Sequence, residues 1–224
     1  MDYLALCRNS RLFLGISPQE VSTMLQCLSA KEKTYPKGSF LFQAGEAQSQ
    51  MGLVLSGRVH IVKEDFWGGR TILAEAVCGQ VFGEAYACTK QPLEVSVEAM
   101  EESTVLFLDV GRVLHVCHSS CAFHGRLIQN LLSLLAQKNL LLTKKVEHMA
   151  KRTTREKLLS YLSSQAQLAE SNVFTIPFNR QQLADYLAVE RSAMSAELSK
   201  LRKDGWLDYQ KNTFRLLKWK ETSL

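Results

Sequence analysis

Residues 180–201, RQQLADYLAVERSAMSAELSKL, place hydroxyl and guanidinium side chains at helical spacing. A helix that begins near Arg191 would bury its apolar positions and turn small hydroxyl and basic side chains outward. Small hydroxyls let a helix approach base edges, and an arginine near its start can contact a guanine with two hydrogen bonds. Further lysines and arginines suit phosphate oxygens, which position a protein without specifying sequence. The predicted DNA-contacting residues are Arg180, Arg191, Ser192, Ser195, Ser199, Lys200, Arg202, Lys203 and Lys211. Two amphipathic helices that serve only the core remain the alternative.

Cysteines form a second group with possible chemistry. Cys117 and Cys121 lie one helical turn apart, with His115, His118 and His124 nearby, and Cys88 lies earlier in the chain. Such thiols could bind a metal or respond to oxidation if further ligands converged on them. Free cysteine is also among the most buried residue types, so we favour packing and predict no metal site. Ligation or redox sensing by Cys88, Cys117 and Cys121 is the alternative, and the cofactor is left unknown.

Catalytic chemistry lacks a candidate constellation. A small-barrel enzyme needs convergent histidines and carboxylates, whereas His60 stands alone in its apolar run. We therefore expect no catalytic residues.

Charge and composition narrow the function class. The 224 residues carry a net charge of +5, with 13 Lys and Arg against 8 Asp and Glu after residue 150 and 14 of each before it. This asymmetry favours a polyanion as the partner of the C-terminal third. No apolar run approaches a membrane span and the N-terminus does not resemble a signal peptide, so we expect a cytoplasmic protein without membrane contact.

The predicted secondary structure that positions these residues changes in character twice along the chain. Ser17, Pro18 and Glu20 predict a capped helix that ends near Leu28. Short β-branched and aromatic runs separated by glycines fill residues 37–108 and predict an antiparallel barrel or sandwich.

A long helix follows, with apolar residues in 4-3-4-3 spacing. One polar Asn139 at a core position is typical of a parallel two-stranded coiled coil. Leu127, Leu131, Leu134 and Leu141 form a second apolar face, so we expect one face to pack inward and the other to meet a second copy. A helix that packs only within its own subunit is the alternative. The predicted seam consists of Ile128, Leu132, Leu135, Asn139, Leu142, Val146 and Met149.

The last third begins with a helix capped by Thr153 and Glu156. A short strand, two short helices and two strands around a Lys211-Asn212 turn come next, and this order predicts a winged helix-turn-helix. A winged helix can also bind a protein through the same face, so a scaffold remains a competing function.

Together, YPKGSFLFQAGE, LVLSGRVHIV, GQVFGEA and the stretch at 180–201 resemble the Crp/Fnr family of bacterial transcription regulators over nearly the whole chain. The resemblance implies an α+β protein with an N-terminal antiparallel β-roll of the double-stranded β-helix or jelly-roll type, a long dimerisation helix and a C-terminal winged helix-turn-helix. The expected domains are residues 1–120, 121–150 and 151–224. It also implies a homodimer on a palindromic operator in double-stranded DNA, a small effector of unknown identity, and RNA polymerase as a partner.

The effector pocket is where the chain departs from this pattern. Cyclic-nucleotide-binding members have an arginine and a small hydroxyl residue about ten residues after the FGE motif, whereas Leu93 and Glu94 stand there here. A carboxylate near a phosphate lowers affinity, and Leu142 offers no hydroxyl to a base, so we expect that the effector is not cyclic AMP. Ala188 also replaces the glycine common at the inter-helix turn. The implied pocket residues are Gly83, Glu84, Ala85, Tyr86, Leu93, Glu94 and Leu142.

Overall fold

A computed structural model describes residues 9–67, 69–114 and 122–218. Its contacts divide the chain into two compact units, residues 1–137 and 138–224. Among the described residues, no helix combines the length and the apolarity that crossing a bilayer requires.

The N-terminal unit is an antiparallel β-roll of two four-stranded sheets, as predicted. One sheet has the order β1-β8-β3-β6 and the other the order β2-β7-β4-β5. The strands are β1 Lys31–Tyr35, β2 Phe40–Phe42, β3 Gln50–Ser56, β4 Arg58–Glu64, β5 Arg70–Val77, β6 Val81–Phe82, β7 Ser96–Ala99 and β8 Ser103–Asp109.

Glycine makes the tightest of these turns possible. Gly57 connects β3 to β4 with a φ of +80°, and a Cβ there would collide with the carbonyl oxygen of Glu102. Only a residue without a side chain fits both constraints, so the glycine-punctuated runs of the sequence do mark strand ends.

The interior of the roll is apolar and aromatic. The Phe42 ring lies 5.5 Å from the Phe82 ring and 5.6 Å from the Phe107 ring, centroid to centroid. Tyr35 meets Phe107 edge-on at 6.1 Å. Buried aliphatic side chains fill the remaining space: Val54, Val59, Ala76, Leu93, Val97, Ala99 and Val105.

Helices cover the other side of the first sheet. The predicted N-terminal helix is confirmed as α1, Pro18–Cys27, with a complete capping box in which Ser17 N donates to Glu20 Oε2 at 2.8 Å and Glu20 N donates to Ser17 Oγ at 3.4 Å. Two short helices follow, α2 Glu84–Thr89 and α3 Val110–Leu114.

The long helix α4 spans Ala122–Met149. Leu127 and Leu131 are fully buried in the core beneath α1, and Leu134 and Leu135 pack against that core while remaining partly exposed. The N-terminal half of α4 therefore contributes one apolar face to its own unit.

The C-terminal unit has the predicted winged helix-turn-helix order. Its elements are α5 Thr154–Leu168, β9 Val173–Thr175, α6 Arg180–Leu187, α7 Arg191–Lys203, β10 Leu207–Gln210 and β11 Thr213–Leu216. The three strands form one antiparallel sheet in the order β10-β11-β9. Thr153 and Glu156 form the predicted capping box of α5. Leu158, Leu162, Leu183, Leu187 and Phe214 are completely buried between these elements.

Candidate nucleic-acid interface and effector pocket

The turn between α6 and α7 contains a left-handed residue and is hydrogen-bonded by a lysine of α5. Ala188 ends α6 in the left-handed conformation with a φ of +48°, which a glycine would adopt without strain. Lys157 on α5 donates from Nζ to the carbonyl oxygens of Leu187 and Ala188, at 3.2 and 3.4 Å. A cation at a helix C-terminus opposes the negative end of the helix dipole. Lys157 was not identified from the sequence, because its partners lie about 30 residues further along the chain.

Helix α7 has an apolar inner face and a polar outer face, as its spacing predicts. Met194, Leu198 and Leu201 are fully buried. The DNA-contacting candidates on this helix lie on the other side, with Ser195 half-buried and the rest exposed: Arg191, Ser192, Ser199, Lys200, Arg202 and Lys203.

Glu190 caps the start of α7 and was also missed by the sequence analysis. Its carboxylate accepts from Ser192 N at 2.9 Å and from Ala193 N at 2.7 Å, and it also contacts the Ser192 hydroxyl. These hydrogen bonds lower the pKa of Glu190 to about 2, so the cap is ionised at neutral pH. The signal was local: an acidic residue directly before Arg191 can take the N-cap position.

Two of the outward serines donate within their own helix. Ser195 Oγ donates to the carbonyl oxygen of Arg191 at 2.9 Å, and Ser199 Oγ donates to that of Ser195 at 3.0 Å. The hydroxyl protons are therefore engaged, and the oxygens keep lone pairs for an outside donor. These two side chains present hydrogen-bond acceptors outward.

The cationic candidates differ in how much of their charge is neutralised. Among the described residues, Arg191, Lys203 and Lys211 have no side-chain hydrogen bond or ion pair. Lys200 pairs at 3.9 Å with a carboxylate oxygen of the half-buried Glu197. The charges of Arg191, Lys203 and Lys211 remain available to an outside partner.

Arg202 and Arg180 are instead held by the wing, β10 and β11. Arg202 Nε lies 2.7 Å from Asp208 Oδ1, and its guanidinium lies 5.4 Å from the centre of the Tyr209 ring. The guanidinium of Arg180 stacks on Tyr209 at 4.8 Å and on Phe214 at 5.2 Å, and burial lowers its pKa. Both arginines connect a helix to the wing, which limits their use as phosphate contacts.

The cassette that would hold an effector begins with a left-handed glycine. Gly83 precedes α2 with a φ of +76°, and a Cβ there would lie 2.8 Å from the Phe42 ring. Glu84 is buried, Ala85 is exposed and Tyr86 packs against the aromatic interior of the roll. A side chain at Gly83 would thus meet both a strained backbone and the Phe42 ring.

Leu93 and Glu94 stand where cyclic-nucleotide-binding members have their phosphate-binding arginine and hydroxyl residue, and neither is available to a phosphate. Leu93 is 2% exposed and belongs to the apolar interior of the roll. Glu94 Oε2 lies 3.2 Å from Lys63 Nζ, and Arg70 pairs with the nearby Glu98. Lys63 and Arg70, the cations near Leu93 and Glu94, are thus already paired with carboxylates. Leu142, the remaining pocket candidate, belongs to the C-terminal unit and is 62% exposed.

The seam candidates of α4 fall into two groups. Leu132, Leu142 and Val146 are 66%, 62% and 64% exposed, and Met149 and Asn139 are also exposed. Ile128 and Leu135 are half-buried, and Leu135 packs against the core of its own unit. Among the described residues, these exposed apolar side chains form a stripe along one side of α4.

Of the residues in the metal or redox hypothesis, the structure describes Cys88 and His124. Cys88 is half-buried against the core, and burial, followed by the charge of Glu84, raises the pKa of its thiol. His124 is 2% exposed and stacks on Phe123 at 6.0 Å. Within residues 9–67, 69–114 and 122–218, no group of three His, Cys, Asp or Glu could hold a metal. Four further candidates lie outside the described residues: His115, Cys117, His118 and Cys121.

Two family models match the chain. The cyclic nucleotide-binding domain matches residues 32–120, and the Crp-like helix-turn-helix domain matches residues 156–221. The Cyclic AMP receptor protein of Thermus thermophilus is 30% identical over 101 residues, which are 45% of this chain and 46% of that protein. The match thus spans about half the length of this curated relative.

Solved structures share the fold at low sequence identity. CprK complexed with OCPA is 15% identical with a TM-score of 0.66, covering 87% of this chain and 91% of that one. The c-di-GMP responsive regulator CLP of Xanthomonas campestris is 20% identical with a TM-score of 0.59, covering 89% and 100%. A CooA mutant from Carboxydothermus hydrogenoformans is 21% identical with a TM-score of 0.57, covering 88% and 86%.

Proposed function

The chain belongs to the Crp/Fnr family of transcription regulators, and from that premise we propose that it acts in the cytoplasm as a homodimeric, sequence-specific DNA-binding regulator. The observation that carries the proposal is the outer face of α7. It holds Arg191, three serines and Lys203, and neither Arg191 nor Lys203 forms an ion pair with a described carboxylate.

The surroundings of several polar residues on α7, α6 and the wing suggest a role for each. Arg191 at the first turn of α7 contacts a guanine edge, and Ser195 and Ser199 accept hydrogen bonds from base amino groups. Lys203 on α7 and Lys211 in the turn of the wing contact phosphates. Arg180 and Arg202 hold the wing against the helices.

Selection of bound sequences from random DNA duplexes tests this proposal. A palindromic consensus with two half-sites about one helical turn apart is the expected result. Affinity for that consensus should fall steeply with salt concentration, because Lys and Arg contacts release counterions from DNA. Absence of enrichment, or binding that does not depend on salt, would favour a scaffold that uses the winged helix for protein contacts.

The effector proposal follows from the paired charges of the cassette. We infer that the β-roll responds to a small molecule other than cyclic AMP, because Leu93 is buried and Glu94 is paired with Lys63. Similar proteins are described as a cyclic AMP receptor, a c-di-GMP responsive regulator and a complex with OCPA, so this fold does not itself fix the effector. Calorimetry should detect no binding of cyclic AMP at micromolar concentration, and a saturable heat there would contradict the proposal.

RNA polymerase is the partner through which such a regulator would act.

The thiols are proposed to pack rather than to sense. A thiol with a raised pKa forms little of the reactive thiolate at neutral pH, and this applies to Cys88. Protein purified without oxygen should carry no stoichiometric iron, zinc or haem, and Cys117→Ser should leave operator affinity nearly unchanged. A bound metal, or operator affinity that shifts with diamide treatment, would support the redox- or metal-sensing alternative through Cys88, Cys117 and Cys121.

A further inference from the structure

A polar cleft of about 440 Å³ lies between the last turns of α4 and the second half of α5. Lys144, Glu147 and His148 line it from α4, and Ser160, Ser163 and Ser164 line it from α5. All of these residues belong to the C-terminal unit, and none belongs to the DNA-contacting or effector candidates. The regulator function proposed above leaves this cleft without a role.

The cleft holds unused hydrogen-bond donors. Ser163 and Ser164 are half-buried, and their hydroxyls make no hydrogen bond with a described residue. Serines inside a helix commonly donate to the carbonyl four residues earlier, as Ser195 and Ser199 do in α7. Two adjacent serines that lack this bond leave two donors on the wall of the cleft.

His148 is the most buried side chain of the cleft. It is 4% exposed, and its ring meets the Tyr161 ring edge-on at 5.7 Å. Nδ1 lies 2.9 Å from Ser160 Oγ, and Nε2 makes no hydrogen bond with a described residue. Nε2 can therefore hydrogen-bond a ligand or a water molecule that enters the cleft.

The charges near His148 have mixed signs and a positive sum. Burial lowers the pKa of His148, Glu147 opposes this shift as the largest of the charge effects, and Lys144 and Lys151 lower the pKa further. Two ammonium groups and one carboxylate therefore surround a neutral imidazole. An anion near Lys144 would favour the protonated ring, which would then donate from both nitrogens.

The position of the cleft on α4 keeps it accessible in the proposed dimer. With Val146 at heptad position a and Leu142 at d, Lys144 falls at f, Glu147 at b and His148 at c. Positions b, c and f face away from a two-stranded seam. A second copy along the stripe would leave the cleft open.

We propose that this cleft binds a phosphoryl group, either as inorganic phosphate or as a small phosphomonoester. Lys144 supplies the charge, and the Ser163 and Ser164 hydroxyls and His148 Nε2 donate to three separate oxygens. A tetrahedral anion matches single donors that converge from several directions, whereas a carboxylate is best matched by the planar fork of an arginine, which the cleft lacks. A divalent cation would find one carboxylate, Glu147, among cationic neighbours.

Binding would connect the end of α4 to α5. Helix α5 also carries Lys157, whose ammonium holds the turn before α7. An anion in the cleft could thus change DNA affinity, a consequence that rests on the proposed regulator function. The site itself does not depend on it, and its test uses no DNA.

Proton NMR of the full-length protein tests the site through the His148 ring, whose resonance is assigned by its loss in His148→Gln. Titration with inorganic phosphate should shift this resonance saturably and raise the pKa of His148, compared with chloride at equal ionic strength. Sulfate should act similarly, because it is also a tetrahedral dianion. Glycerol 3-phosphate that binds as tightly as phosphate would identify a phosphomonoester as the ligand, and exclusion of the ester would identify the free anion.

Variants separate binding in the cleft from general attraction to a basic surface. Lys144→Met should weaken phosphate binding at least about ten-fold, the loss of one charge-assisted contact. Ser163→Ala with Ser164→Ala should weaken it comparably. Lys138→Met, nearly two turns earlier on α4 and outside the cleft, should leave it unchanged. Equal losses in Lys144→Met and Lys138→Met, or a shift that chloride reproduces, would overturn the proposal.

Discussion

The N-terminal half of helix α4 and helix α7 each bury an apolar inner face, and the two helices differ in what they expose. Leu127 and Leu131 of α4 are 0% and 2% exposed, and Met194 and Leu198 of α7 are both 0% exposed. On the outer side α4 shows leucine and valine, whereas α7 shows serine, lysine and arginine. The inner faces explain how each helix is held in place, and the outer faces distinguish their roles.

The difference indicates two kinds of partner. Burying one large aliphatic side chain is worth about 1.5–3 kcal/mol, so the stripe of Leu132, Leu142 and Val146 would gain from contact with another apolar surface. The outer face of α7 would lose hydration in such a contact and suits a hydrated polyanion instead. The proposed function therefore assigns a protein partner to α4 and a nucleic-acid partner to α7.

The largest expected effect comes from charging the apolar stripe. Leu132→Asp places a carboxylate in each half of the proposed seam, which should weaken the dimer by at least about 3 kcal/mol, or roughly 150-fold, and abolish binding to a two-half-site operator. Analytical ultracentrifugation measures the dimer. Leu132 is a cleaner choice than Leu135, because Leu135 also packs against its own core.

Leu14→Asp is the matched control for that variant. Leu14 is 64% exposed and lies outside the stripe, so its dimer should remain intact. If Leu132→Asp also remains dimeric, α4 packs only within its own subunit and the contrast with α7 disappears.

The next effect sharpens the role of α7. Arg191→Ala should weaken binding to the selected operator by about 1–3 kcal/mol and leave binding to random DNA nearly unchanged, because a base contact is lost. Fluorescence anisotropy with both duplexes measures the two affinities. Equal losses on both would assign Arg191 to the phosphates instead.

A smaller and uniform effect is expected from Lys203 at the end of the same helix. Lys203→Ala should weaken binding to all sequences and reduce the slope of log affinity against log salt by about one. Arg202→Ala should reduce that slope less, because Asp208 already pairs with Arg202. A larger change of slope in Arg202→Ala would mean that DNA displaces Asp208.

The smallest effect concerns the turn that aims α7. Ala188→Gly should raise the free energy of unfolding by roughly 0.5–1 kcal/mol, since glycine adopts a φ of +48° without strain but loses more entropy on folding. Urea denaturation measures this change. Ala193→Gly, inside α7, is the opposite control and should destabilise by about 1 kcal/mol.

Patterns within a few residues were enough to predict the helix caps, the inner face of α7 and the turn of the wing. The capping boxes at Ser17 and Thr153 were predicted because their partners lie three residues away. The inner face of α7 followed from apolar spacing alone, and the turn at Lys211 from the short polar gap between two strands. Glu190 could have been found in the same way.

The sequence by itself determined which elements form and which side of each helix is apolar, because helical spacing and end-capping depend on residues within about one turn. Only the tertiary structure decided which polar residues stay available. Arg202 forms an ion pair with Asp208, and Glu94 forms one with Lys63. The guanidinium of Arg180 stacks on the Tyr209 and Phe214 rings. The tertiary structure also decided that Leu135 packs inward and that Ser163 lies in a cleft with His148. These pairings join residues six to over thirty positions apart in sequence, and the energy of a charge depends on the neighbour that folding brings to it.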